Sequence, residues 1–155
     1  MLGNPEITDR LNVLLRSELA AINQYVVHAQ MNEIWGYDKL SNYVMTRAKE
    51  EMGHAERLIE RIIFLEAKPV VNILDPIAVG DNVPQQLSND RTSEKTAITN
   101  YNEAVRLCAN NDDNGTRELL EDILEDEERH IREIEEKLYN IAQMGIDNFL
   151  SSQVA

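Results

Sequence analysis

Cysteine is almost missing from this chain. The single Cys108 leaves no partner for an internal disulfide and no material for a multi-cysteine metal cluster, and it fits a reducing compartment. Glycine, proline and phenylalanine are sparse too, at 6, 4 and 2 of 155 residues. With abundant Leu, Ile, Ala and Glu, that composition points to an all-helical protein. No apolar run approaches the roughly 18 residues of a membrane span. The start, MLGNPEITDR, lacks the basic and apolar segments of a secretory signal. A cytoplasmic location with no membrane partner is expected. Positive charge is also scarce: 15 basic residues against 28 acidic ones leave a net charge of −13. Phosphate binding needs a basic footprint, so nucleic acid is excluded as a partner. Metal cations are what such a chain attracts.

Four long segments carry a helical period. Leu11, Leu15, Glu18, Ile22, Tyr25 and Ala29 form one stripe. Leu40, Val44, Ala48, Glu51, His54, Leu58, Ile62 and Leu65 form a second. Glu94, Ile98, Tyr101, Val105 and Cys108 form a third, and Leu120, Ile123, Glu127, His130, Ile134, Leu138 and Ile141 a fourth. Steps of three and four define one core-facing stripe per helix. The spacing predicts helices over about 5–35, 39–66, 84–110 and 115–144, with a short fifth over 147–153 capped by Asp147, in one domain covering 1–155. Residues 67–83 lack a stripe and hold Pro69, Pro76 and Gly80. Their 17 positions reach roughly 56 Å when extended, longer than a 27-residue helix of roughly 40 Å. Two short links and one long crossover define a ferritin-like four-helix bundle. The apolar residues of the crossover, Val70, Val71, Ile73, Leu74, Ile77 and Val79, predict that it packs on the bundle.

Four carboxylates occupy stripe positions where carboxylates are costly. Glu18, Glu51, Glu94 and Glu127 face the core, joined by His54 and His130. An unpaired buried carboxylate costs several kcal/mol, so four together require compensating cations. Glu51-x-x-His54 and Glu127-x-x-His130 place each pair one turn apart on one face. Glu18 precedes Glu51 by 33 residues, and Glu94 precedes Glu127 by 33. One offset of 76 maps Glu18 to Glu94, Tyr25 to Tyr101, Glu51 to Glu127 and His54 to His130, which marks a repeat of helical hairpins. One Glu plus one Glu-x-x-His from each hairpin is the donor set of carboxylate di-metal bundles. Four carboxylates balance two divalent cations, and mixed carboxylate and imidazole donors suit iron, manganese or zinc. Oxidation of Fe(II) is the natural reaction of such a centre. Tyr25, two turns after Glu18, reads either as satisfied core packing or as a hydrogen-bond donor or electron source beside the metals. His28 falls off the seam and reads as a surface or interface histidine. Glu50, Glu56, Glu121, Glu125, Glu128, Glu133 and Glu135 read as a solvated charged face.

The segments SELAAINQYVVHAQMNEIWG, EEMGHAERLIERIIFLE, LLEDILEDEERHI and MGIDNFLSSQ resemble bacterioferritin, from about Asn4 to Gln153. The resemblance implies a hollow shell of 24 subunits that oxidises Fe(II) at a ferroxidase centre in each bundle and stores the ferric mineral inside. It implies six ligands at Glu18, Glu51, His54, Glu94, Glu127 and His130, with Glu51 and Glu127 bridging two irons. It implies a b-type haem between paired subunits with Met52 as axial ligand. Met52 lies about 100° round its helix from Glu51, and the mid-helix Gly53 beside it costs about 1 kcal/mol against alanine. The family commonly has a basic residue at position 53, which this chain lacks. Thr46 and Glu50 stand where some members carry an inner-surface His and Asp, and Glu133 stands where some carry Trp. Asn148 lies in a segment resembling the lining of four-fold channels. A small ferredoxin as reductant and a second subunit type are further implications.

Three rival readings remain at this level: a haem-carrying electron-transfer shell with a merely structural metal site, a peroxidase of the rubrerythrin kind, and a plain interaction bundle. The single cysteine removes the Cys-x-x-Cys iron site that rubrerythrins usually add.

Overall fold

A computed structural model describes all of Met1–Ala155. It contains five helices and no strand: α1 (Pro5–Ile34), α2 (Asp38–Phe64), α3 (Val83–Asn110), α4 (Asn114–Met144) and α5 (Ile146–Ser151). This is a ferritin-like four-helix bundle with a short fifth helix. None of the helices is long and apolar enough to cross a membrane.

Local chemistry sets the helix ends. The Asn4 side chain accepts from the Glu6 amide ahead of Pro5, Asn82 accepts from the Gln85 amide, and Asp113 accepts from the Thr116 amide. Gly36 and Gly145 take positive φ at the α1–α2 and α4–α5 turns. α2 stops at Phe64, two residues before the sequence pattern fades, because Glu66 turns left-handed at φ 59° and the Ala67 amide closes back on the Ile62 carbonyl. α5 begins one residue earlier than its pattern, so Asp147 sits in its first turn and the cap position falls to Gly145. Buried Phe149 pins α5 to the bundle.

α1 packs on α2 and on α3, while α4 packs on α3 and on α2. The crossover therefore joins helices that are diagonal to each other. It climbs along α1: the Asn12 side-chain Oδ1 accepts from the Val70 amide, the Gln24 side-chain Oε1 from the Ala78 amide, and His28 Nε2 from the Gly80 amide. Asn12 to His28 is roughly 24 Å of helix, and the ten residues from Val70 to Gly80, which reach roughly 33 Å when fully extended, cover that rise with slack. The result is an up, down, down, up bundle.

The strap packs on the bundle as expected, but not through the side chains expected, and His28 lies elsewhere than its pattern implied. It docks by polar bonds, and its apolar side chains Val71, Ile73, Leu74, Ile77 and Val79 remain at least 40% exposed. His28 is fully buried beneath it: Nε2 accepts from Gly80, and Nδ1 faces Asp90 at 3.0 Å. Gln24, His28 and Asn32 form a buried polar row because the crossover, not solvent, covers that face of α1.

The apolar core is split in two. One cluster gathers Leu11, Leu15, Leu58, Ile62, Leu120 and Ile123. The other gathers Ala29, Leu40, Val44, Leu87, Ile134 and Phe149. Between them lies a layer of buried acids and imidazoles.

Candidate metal centre

Each of the four long helices sends carboxylates into that middle layer. α1 supplies Glu18, α2 Glu51 and His54, α3 Glu94, and α4 Glu127 and His130, all no more than 3% exposed. Their donor atoms form two groups within 4.8 Å: Glu18, Glu51, His54 and Glu127, and Glu51, Glu94, Glu127 and His130. Glu51 and Glu127 belong to both. The structure thus brings together all six residues singled out from the sequence.

The imidazoles are oriented from behind. His54 Nε2 lies 2.8 Å from Asp126, and His130 Nε2 lies 2.6 Å from Glu50. In each ring Nδ1 is left facing the layer; when a metal displaces the proton there, the carboxylate behind Nε2 raises the basicity of the imidazole toward it. Glu50 also takes Arg47 and Arg129, and Glu133 takes the same two arginines. Both were read as solvated; both belong to a charged shelf behind His130. Burial alone would raise the Glu50 carboxyl, but the bonds from His130 and Arg129 outweigh it and hold the group below its ordinary range. Asp126 is lowered likewise against its burial, through His54 and Arg129. The signal for this pair was present: Glu50 and Asp126 are separated by the same 76 residues as the other repeat positions.

The tyrosines cross over as well. Tyr25 Oη donates to Glu94, and Tyr101 Oη donates to Glu18 at 2.6 Å. Burial, then the facing carboxylates (Glu94 for Tyr25, Glu18 for Tyr101), hold both phenols well above their usual range. They remain hydroxyl donors, and Tyr25 holds a Glu94 oxygen rather than merely filling space.

What is left over is diagnostic. Glu18 Oε2, Glu51 Oε1, His54 Nδ1, Glu94 Oε2, Glu127 Oε1 and His130 Nδ1 are buried without a hydrogen-bond partner. His54 Nδ1 sits 3.0 Å from Glu127 Oε1, and His130 Nδ1 sits 3.0 Å from Glu51 Oε1. Lone pairs crowded at this range repel unless protons or cations intervene. Without a metal, protons do so. Burial and then the neighbouring Glu18 and Glu127 carboxylates raise Glu51, and burial followed by Glu94 and Glu18 raises Glu127. Burial opposes charge on His54, yet Glu127 and Glu18 prevail and push it up to about 11. One orphan atom on each of six residues, arranged as two overlapping groups, fits two divalent cations.

Residues 8–144 match the ferritin-like domain family. Over its full length the chain is 41% identical to a bacterial ferritin of Synechocystis, again full length. It is 39% identical to a bacterial ferritin of Pseudomonas aeruginosa, covering 99% of this chain and 100% of that one. A bacterioferritin of Brucella melitensis is 36% identical over 96% of this chain and 92% of its own. The chain belongs to the bacterioferritin family. Met52, the remaining position singled out from the sequence, lies outside the middle layer. It is 46% exposed on the outer side of α2, and a Cβ built on the adjacent Gly53 would meet nothing within 4 Å.

Proposed function

We propose that this protein stores and detoxifies iron by oxidising Fe(II) to Fe(III) at the middle layer of each bundle, with the ferric product accumulating inside a shell of 24 copies. The observation that carries this reading is the set of six unpartnered buried donor atoms in two groups sharing Glu51 and Glu127. Glu51 and Glu127 serve both Fe(II) ions, Glu18 and His54 complete one site, and Glu94 and His130 complete the other. Four carboxylates neutralise two divalent cations, so loading removes the charge excess of the buried layer. Asp126 and Glu50 keep each imidazole in the tautomer whose Nδ1 faces the cation, while Tyr101 and Tyr25 hold one oxygen of Glu18 and Glu94 and leave the other free. Two Fe(II) ions release two electrons; dioxygen takes them with two protons to give hydrogen peroxide, or peroxide takes them with two protons to give two waters.

Addition of Fe(II) in air to the assembled protein tests this. Fe(III) absorbance rises far faster than in buffer, and Glu18→Ala and Glu127→Ala abolish the fast phase. Oxidation at the rate of buffer, or unaffected by both substitutions, overturns the reading.

A b-type haem between two copies, which the Met52 thioether would help hold, is part of the same proposal. The half-exposed Met52 and the open space over Gly53 support it, since nothing within the chain accounts for a mid-helix glycine there. When bound, haem would supply one-electron transfer. Its visible spectrum, lost in Met52→Leu, is the check.

A further inference from the structure

The middle layer is open on one side. A cleft of about 440 Å³ lies between α1 and α3 under the crossover and ends on Glu18, Glu51, Glu94 and Glu127. Its walls are small, with Ala20, Ala21, Ala97, Thr92 and Thr96 among them, and no lysine, arginine or histidine lines it. One further carboxylate does: Asp75, carried across the cleft by the crossover.

Asp75 differs from the other acids around the centre. Glu50, Asp126 and Glu133 are each committed to arginine, histidine or both. Asp75 is half-buried, and its partner is the hydroxyl of Ser17, which donates to it. Ser17 directly precedes Glu18, which lines the same cleft and whose Oε2 is buried and unpartnered. Glu94 Oε2 has the same character on the opposite wall. A path lined by carboxylates and free of basic groups concentrates cations and repels anions. A neutral oxidant needs no such charge.

We propose that Asp75, held at the cleft mouth by Ser17, is the carboxylate that captures divalent cations and delivers them to Glu18 and Glu94. This rests on the reading of the middle layer as a cation centre. Asp75 binds the incoming ion in transit and contributes nothing to the final coordination, so it governs the rate of loading and not the number of ions held.

Anaerobic stopped-flow loading with Co(II), followed by its visible absorption at low ionic strength, tests the assignment without iron chemistry. The assembled wild-type protein takes up two Co(II) per subunit. Asp75→Asn keeps an acceptor for Ser17 but removes the charge; it loads about three- to tenfold more slowly and reaches the same endpoint, and the difference shrinks in 0.5 M salt. Asp75→Ser gives a second neutral variant should the first not assemble. Ser17→Ala removes the anchoring bond but keeps the charge, and it loads faster than Asp75→Asn. Loading by the neutral variants at the wild-type rate overturns the assignment, as does equal slowing by Ser17→Ala, which would make the contact a structural pin. A wild type that binds no Co(II) overturns the cation centre itself, which is a distinct result.

Discussion

Replacing Glu51 by Gln should make the metal-free protein more stable and the metal-loaded protein less so. Glu51 is 1% exposed, and its carboxyl is raised by burial and then by Glu18 and Glu127. A raised carboxyl contributes stability that is fully present below the unfolded value, near 4.3, and is lost as pH rises toward the folded value. At pH 7 the interval is about 2.7 pH units, which caps the penalty at about 3.7 kcal/mol; at pH 5 the cap falls to about 1 kcal/mol. Gln has the same shape, carries no charge at any pH and donates to neighbouring carboxylates, so it removes the penalty. At about 2–4 °C per kcal/mol for a chain of this size, chelated Glu51→Gln should melt up to roughly 7–15 °C above wild type at pH 7, with a much smaller gain at pH 5. Cations reverse the order. At a thousandfold excess over Kd, Co(II) adds about 4 kcal/mol per site to wild type, and the variant, lacking a carboxylate shared by both sites, forfeits most of it. Thermal unfolding by circular dichroism, with and without chelator at both pH values, reads all four states. A metal-free variant that melts below wild type at pH 7, or a gain independent of pH, would refute the account of a carboxylate excess in the core.

Proton release offers a second check. Because Glu51, His54 and Glu127 are raised without metal, loading Zn(II) at pH 7 should expel about two to three protons per subunit into a weakly buffered dye solution, and affinity should fall as pH drops. Asp126→Ala, which frees His54 Nε2, should weaken one of the two Co(II) sites by about 10–100-fold in an equilibrium titration and leave the His130 site near wild type. Gly80→Ala should cost about 1–3 kcal/mol in chelated protein, read by thermal melting, because its Cβ would collide with the Gln86 backbone nitrogen and Cα.

The helices, their stripes and the six buried donors were legible because periodicity records burial directly: a Glu at a stripe position is a Glu in the core. The exposed side of the crossover was not. An extended strap has no 3.6-residue period, and its apolar content says nothing about which side faces the bundle when its docking is polar. His28 was misplaced for the related reason that a second layer of chain covers α1. Residues 24, 28 and 32 step by four, and that row of polar side chains was the available sign of a buried polar seam. Glu50 was misread because an acidic residue beside a bridging position looks solvated until its target, His130, arrives from a different helix.

That last error shows what the repeat means physically. Under the offset of 76, Glu50 and Asp126 are equivalent, as are Tyr25 and Tyr101. In each case the residue serves the other half: Glu50 on α2 orients His130 on α4, Asp126 on α4 orients His54 on α2, Tyr25 on α1 holds Glu94 on α3, and Tyr101 on α3 holds Glu18 on α1. A single hairpin therefore contains three of the six donors but none of the groups that orient them. The two hairpins bring the six residues together only on docking, and the buried charge that opposes that docking is the charge that cations would neutralise under the proposed function. One electrostatic cause would then make the layer costly to assemble empty and favourable to cations once assembled.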